Sequence, residues 1–198
     1  MHTGIVMATM LEAAPFIHGL SMVQETREPF PLYTSGDLAL VISGIGKVNA
    51  ALAAAHLIRE KNISVLHNPG AAGALRDGIN AGEIYHIKEI IDWDRPGLMK
   101  REIRKIAADR LEGFNEASLA TLDRPVITRG ERERVGQAAE LVDMEGAGFI
   151  QACRVHKVKG YLWKIVSDTA EHEHDKDIIA NIKLMIEDLF VFMKERVL

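Results

Sequence analysis

Short β-rich runs alternate with stretches of helical period along the whole of this 198-residue chain, and that alternation leaves few architectures open. Residues 4–8, 38–43, 64–68, 84–90, 118–122, 141–143 and 161–167 read as strands. Between them Val48, Ala51, Leu52, Ala55 and Ile58 share one helical face, and Ile178, Ile182, Met185, Ile186, Leu189 and Met193 share another. Both faces are expected to lie on the sheet. The turn signal Ser35, Gly36, Asp37 predicts a hairpin between residues 32–34 and 38–43, an antiparallel element in an otherwise parallel arrangement. The expected fold is α/β: a three-layer sandwich with a central mixed, mainly parallel twisted sheet, built as one domain over residues 1–198.

Composition narrows the function classes. With 47% hydrophobic and 26% charged residues the chain has enough apolar surface for one core. Its longest apolar stretches, such as residues 38–42, fall far short of the roughly 20 residues of a membrane span. The start of the chain runs into a strand pattern rather than a basic-then-apolar leader. A cytoplasmic protein without a membrane partner is therefore expected. Cys153 is the only cysteine, so neither an intramolecular disulfide nor a zinc cage with two cysteines can form. The net charge of −4 is small, and bases alternate with acids, as in Glu131, Arg132, Glu133 and Arg134. Nucleic acid is not the expected partner. Residues 92–115 are the most irregular part, with Pro96, Gly97 and Gly113 around a basic run at 100–110 that reads as a flap or a solvated helix.

Open α/β sheets bind ligands beyond the carboxyl ends of their strands, so the residues that follow each strand carry the most information. Glu12 follows the first, in the first turn of a helix. Ser43-Gly44-Ile45-Gly46-Lys47 follows the second and Asn68-Pro69-Gly70-Ala71-Ala72-Gly73 the third. Later strands deliver Asp143-Met144-Glu145 and Ser167-Asp168. The two small-residue loops let backbone N–H groups approach a ligand, with Ile45, Gly70 and Ala71 as the expected contacts, and Glu12, Glu145 and Asp168 can converge on it. Known nucleotide loops fail: a dinucleotide fingerprint starting at Gly44 needs glycine where Asn49 stands, and a P-loop needs Gly at Val41 and Ser or Thr at Val48. A carboxylate-rich centre without evident metal ligands suits a cation-like transition state and a leaving group that needs a proton. Cleavage of an N-ribosidic bond is such a reaction. One carboxylate can also accept from both vicinal ribose hydroxyls.

These residues resemble the purine nucleoside phosphorylase and methylthioadenosine/S-adenosylhomocysteine nucleosidase superfamily. The resemblance rests on Ser43-Gly-Ile-Gly-Lys-Val-Asn-Ala-Ala51, Asn68-Pro-Gly-Ala-Ala-Gly73, Val142-Asp-Met-Glu145 and Ile165-Val-Ser-Asp168, in order over most of the chain. It implies that Asp168 is the general acid at the purine imidazole nitrogen, its proton favoured by partial burial, with Ser167 fixing its loop. Glu145 would receive the ribose hydroxyls, Met144 would pack on the sugar, Glu12 would position and deprotonate water, and Val126 would read the base edge through its backbone. The activity implied is a cofactor-free, metal-free purine-nucleoside N-ribosyl hydrolase, usually a homodimer or larger oligomer.

Departures from the pattern bear on the nucleophile. Phosphorolytic relatives carry an arginine where Asn68 stands, and a Gly with an Arg where this chain has Thr9-Met10-Leu11-Glu12. An anionic nucleophile needs such cations, whereas water needs a base. Ala71 replaces a serine, Lys164 an arginine, and Pro125 a base-stacking aromatic; the chain is also short around residues 92–115. A phosphate-dependent phosphorylase and a nucleoside-binding protein with little turnover remain the rival readings. Each anchor also has a plainer role: Asp168 as a helix cap, Glu145 as a complement to a helix dipole, Glu12 as a common first-turn acid. Lys47 and the His172-Glu173-His174-Asp175 segment read as solvated helix starts, Cys153 as a buried inert thiol, and Trp93 and Trp163 as core or pocket wall.

Overall fold

The structure, a computed structural model, describes residues 2–95, 104–170 and 175–198. In chain order its elements are β1 (His2–Met7), α1 (Met10–Gly19), β2 (Val23–Thr26), β3 (Leu32–Ser35), β4 (Leu38–Ile42), α2 (Lys47–Lys61), β5 (Ile63–Ala74) and β6 (Ile84–Asp92). They continue with β7 (Lys105–Ala107), β8 (Glu116–Thr121), α3 (Arg129–Gly136), β9 (Leu141–Asp143), α4 (Gly146–His156), β10 (Lys159–Asp168) and α5 (Asp175–Arg196). The strands form one mixed sheet in the order β10-β6-β8-β9-β5-β1-β4-β3-β2, with β7 on β6. Strand β5 is 12 residues long, so it holds β1 along its first half and β9 at its end while pairing with β10 on its other edge. That second pairing closes β5, β9, β8, β6 and β10 into a ring, and β1 to β4 extend from it as an open sheet.

Helices cover both faces, as the alternation predicts. On one face α2 and α4 pack Ala50, Ala53, Ala54, Leu57, Phe149 and Ile150 against the strands. On the other, α1 and α5 bring Ala13, Phe16, Ile186, Leu189, Phe190 and Met193 onto Ile5, Leu40 and Trp163. The apolar face expected of α2 is rotated: Val48 and Leu52 are 70% and 57% exposed, while alanines carry the contact. The reason is close approach, since a Cβ at Gly148 of α4 would stand only 1.9 Å from the Lys47 carbonyl oxygen. Helices that near one another admit Ala and Gly, not Val and Leu.

Two further expectations change. Residues 68–73 are strand rather than loop, because β10 runs beside them in parallel register from Leu162↔Asn68 to Asp168↔Gly73. The basic run at 100–110 is not helical where it is described: Lys105–Ala107 forms β7, which pairs with β6. Residues 96–103 and His172, Glu173 and His174 lie outside the described residues. Two elements left no periodic signal. Strand β2 is exposed throughout, and α3 buries only Arg132 and Val135. No helix among the described residues is long and apolar enough to cross a membrane.

Beneath α5 lies a ring cluster that includes two histidines. The Trp163 indole N–H donates to His67 Nδ1 at 3.1 Å, and His86 stacks on Trp163 with centroids 4.1 Å apart. His86 bonds the Leu162 carbonyl through Nδ1 and accepts the Leu111 N–H at Nε2, both at 3.0 Å. These bonds require neutral rings. Burial pushes the His67 imidazole down to about 4, with His86 adding to the effect. A histidine lowered on folding stabilises the native state above its unfolded value and loses that contribution as pH falls toward the folded one. Stability should therefore drop by about 3 kcal/mol between pH 6.5 and 4 through His67 alone. Urea unfolding of His67→Gln should show a loss over this range smaller by that amount; an unchanged pH dependence would contradict the assignment.

Candidate active site

Parallel strands β1, β4, β5 and β10 end on the same side of the sheet, and the polar residues that follow them surround one cavity of about 370 Å³. Its wall includes Glu12, Ile45, Ala71, Val126, Met144, Glu145, Ser167 and Asp168, so all the expected site residues except Gly70 line it. Leu11, Pro125, Val142, Ile178, Ile179 and Ile182 make much of the rest apolar. Gly70 lies underneath, where a Cβ would sit 3.1 Å from Glu12 Oε1.

Glu12 occupies the third position of α1 because Thr9 caps that helix. Thr9 Oγ1 accepts the Glu12 N–H at 3.3 Å, and Glu12 Oε2 accepts from the Thr9 N–H at 3.2 Å and hydroxyl at 2.8 Å. This is the reciprocal capping box. It leaves Oε1 free to turn inward, where the Ala71 N–H donates to it at 3.1 Å. Position 71 thus contributes its backbone to the acid's placement, whatever its side chain.

Glu145 sits at the head of α4 but does not cap it. Asp143 does, accepting the Gly146 N–H at 2.9 Å and the Thr121 hydroxyl at 2.7 Å. Glu145 is released to reach the β4–α2 loop, where its Oε1 accepts the Gly46 N–H at 2.9 Å. That N–H is available because Gly44 and Gly46 adopt φ of +82° and +106°, a backbone that side-chain-bearing residues avoid. Burial, then repulsion from Asp143, pushes the Glu145 carboxyl up to about 7, with Lys164 and the Gly46 N–H opposing.

Asp168 closes β10. Its Oδ1 accepts the Ser167 hydroxyl at 2.6 Å, and its Oδ2 is ion-paired with Arg132 of α3. The expected burial of Asp168 is present, but an arginine is buried with it. Ser167 is steadied in turn by Asn181 of α5, whose amide donates to the Ser167 carbonyl at 2.9 Å.

Lys164 is buried at 1% exposure. Its Nζ donates to Asn68 Oδ1 at 2.9 Å and pairs with Asp143 Oδ2 at 3.0 Å. Asn68 is fixed by its own amide, which donates to the Val6 carbonyl at 2.9 Å. Arg124 is the only basic residue in the described wall, and it is spent on Glu131 at 2.6 Å.

Other singled-out residues fall elsewhere. Lys47 is not solvated: it pairs with Asp92, Asp94 and Asp123 at 3.0, 3.4 and 3.2 Å, apart from the cavity wall. Cys153 is buried and its thiol is pushed up to about 12 by burial. Trp163 is core and Trp93 packs on a satellite cluster under α3, and neither lines the cavity. Asp143 as a cap and Arg132 as an ion-pair partner escaped the sequence reading. The signal for Arg132 was its place three residues before Val135 on the buried face of a helix that Thr128 caps.

Fold and cleft together define an α/β protein with a partly apolar cavity of small-molecule size at the carboxyl ends of its strands. A profile described as the phosphorylase superfamily matches residues 3–101, half of the chain, and the chain belongs to that superfamily. A 5′-methylthioadenosine/S-adenosylhomocysteine nucleosidase of Staphylococcus epidermidis is 26% identical over 164 residues, covering 70% of this chain and 72% of that protein. The fold also matches the S. pneumoniae nucleosidase of the same name bound to a transition-state inhibitor, with TM-score 0.85, 21% identity, and 98% and 99% of the two chains covered. A futalosine hydrolase of Helicobacter pylori is as similar in shape, at TM-score 0.85 and 19% identity over 98% of this chain and 95% of the other.

Because Lys164 is, among the described residues, the cation paired with buried Asp143, Lys164→Met should destabilise the protein by about 3–5 kcal/mol. It should also move the Glu145 titration above its midpoint of about 7, since Lys164, with the Gly46 N–H, opposes burial there. Carboxyl-carbon NMR titration reads the shift; an unmoved midpoint would show that the lysine does not govern this carboxylate.

Proposed function

We propose that this chain is a purine-nucleoside N-ribosyl hydrolase that uses water to release the base. The observation that carries the reading is a cavity whose wall includes Glu12, Asp143, Glu145 and Asp168 and, among the described residues of that wall, no uncommitted cation. Phosphate would need a positive group there. Water needs a base, and Glu12 is oriented as one by the Thr9 and Ala71 N–H groups.

In this mechanism Glu145 accepts from the ribose diol and holds the sugar against Met144. Water attacks C1′ and passes its proton to Glu12. As the C1′–N9 bond breaks, its electron pair moves into the purine, and N7 takes a proton from Asp168. Positive charge that builds on the sugar is stabilised by the carboxylates near it. The Leu11, Ile178, Ile179 and Ile182 side chains favour an apolar 5′ substituent, which fits a thioether such as that in the name of the staphylococcal relative. Assembly into a homodimer or larger oligomer is part of the same reading and rests on the family resemblance, and a cytoplasmic location rests on the single cysteine and the lack of long apolar stretches.

The decisive assay measures free base from methylthioadenosine, S-adenosylhomocysteine, adenosine and inosine, with and without phosphate. Methylthioadenosine should be cleaved without phosphate, and Asp168→Asn and Glu12→Gln should each lower kcat by roughly 100-fold or more. Strict phosphate dependence would make the protein a phosphorylase, and binding without release would make it a nucleoside-binding protein.

Diol binding uses the ionised Glu145, whose midpoint lies at about 7. Substrate KM should therefore rise about tenfold for each pH unit below that value. In Glu145→Gln this dependence should disappear while KM stays high at every pH; a profile like that of the native protein would remove Glu145 from ribose binding.

A further inference from the structure

We propose that Arg132 is a positioning residue for Asp168: its buried guanidinium holds one carboxyl oxygen from behind and so directs the other edge at the imidazole nitrogen of the bound base. The inference rests on the reading of the cavity as a purine-nucleoside site. It assigns a role to a residue of α3 that no strand-end motif includes.

The geometry is that of a built support. Arg132 is 1% exposed, and each guanidinium nitrogen has an acceptor: Nη2 donates to Asp168 Oδ2, Nη1 to the Ala74 carbonyl at 2.8 Å, and Nε to the Ile127 carbonyl at 3.4 Å. Two of the three bonds anchor the arginine to the backbone, so the third presents a fixed charge. Arg132 does not line the apolar cavity, whereas Asp168 does. It borders a separate hollow of about 710 Å³ together with Ala74 and Thr169, so it meets Asp168 from outside the cavity wall. Gly73 makes the room: a Cβ there would lie 2.7 Å from Asp168 Oδ2 and 3.1 Å from Arg132 Nη1.

A charged pair at this depth is a poor choice for stability alone. Apolar side chains of similar volume usually serve a core as well or better, because both ions must be stripped of water. What the pair supplies is direction. Asp168 alone has two soft torsions, and pinning Oδ2 to a rigid fork while Ser167 bonds Oδ1 removes that freedom before substrate arrives. A carboxyl group so fixed distinguishes a base with a hydrogen-bonding N7 from one without it.

Two isomeric bases isolate this effect. 9-Deazaadenine carries N–H at the N7 position and 7-deazaadenine carries C–H there, with the same size and ring system. Titration calorimetry on the intact protein should show the native chain preferring 9-deazaadenine by roughly 10- to 100-fold, the usual worth of a hydrogen bond to a charged group. Arg132→Met should cut that preference to within about threefold while affinity for 7-deazaadenine changes by no more than about threefold. Arg132→Lys keeps a cation but loses the planar fork, and should give an intermediate ratio. If the methionine variant fails to fold, the lysine variant decides.

A preference unchanged in the folded variants overturns the proposal, as does equal weakening toward both isomers, which would mark Arg132 as structural. A native protein that binds neither isomer, or binds both alike, instead overturns the purine-site reading on which the proposal stands.

Discussion

The parallel ladder between β5 and β10 is the constraint on which the site depends. It sets Lys164 opposite Gly70, Ile165 opposite Ala71 and Asp168 opposite Gly73. The small residues all lie on β5 and the long polar ones on β10, so each strand supplies what the other lacks. A Cβ at Gly70 would come within 3.6 Å of Lys164 Nζ, and one at Gly73 within 2.7 Å of Asp168 Oδ2. A slip of one residue would turn Lys164 and Asp168 to the opposite face of the sheet. The same pairing closes the ring of strands, which brings β9, and with it Asp143 and Glu145, to the site that β10 serves.

Within that frame the acids are held by neutral donors far more than by cations. Glu12 takes an N–H from Thr9 and another from Ala71, Glu145 one from Gly46, Asp143 one from Gly146, and Asp168 a hydroxyl from Ser167. Backbone donors orient a carboxylate without consuming all its lone pairs, so each acid keeps acceptor capacity for a ligand. The two buried cations act at the rear, Lys164 on Asp143 and Arg132 on Asp168. A site so arranged is suited to hydroxyls, water and a base nitrogen, and is unfavourable to an anion.

Much of this was legible in the sequence, and the exceptions share a cause. Asp168 ends a strand, and Glu145 and Glu12 stand at the head of the helix that follows one, where period-2 patterns stop and polar residues must face a cleft or solvent. Residues 68–73 read as a loop in the sequence because glycine and proline signal turns, whereas here small size serves a close strand pairing that only three dimensions reveal. The face of α2 was misread because Val48 and Leu52 outrank alanine in hydrophobicity, yet contact with Gly148 of α4 demands the alanines. Arg132 was hidden in an alternating acid-base run whose other charges are solvent-facing pairs such as Arg129–Glu133. A buried ion pair has no periodic trace, because its partner is 36 residues away.

Helix α5 shows how the cavity is joined to the core. Its apolar face is continuous, but its first turns, at Ile178 and Ile182, line the cavity, while Ile186, Leu189 and Met193 pack under the sheet. The later turns therefore fix where the earlier ones stand. An apolar group bound beside Ile178 and Ile182 extends the helix's own packing face, and burying it removes water from surface that the fold leaves only partly covered. Asn181 lies between these two isoleucines and donates to the Ser167 carbonyl at 2.9 Å, so the helix that shapes the apolar wall also steadies the residue beside Asp168. An apolar group bound against Ile178 and Ile182 would thus touch the helix whose Asn181 holds the residue beside Asp168.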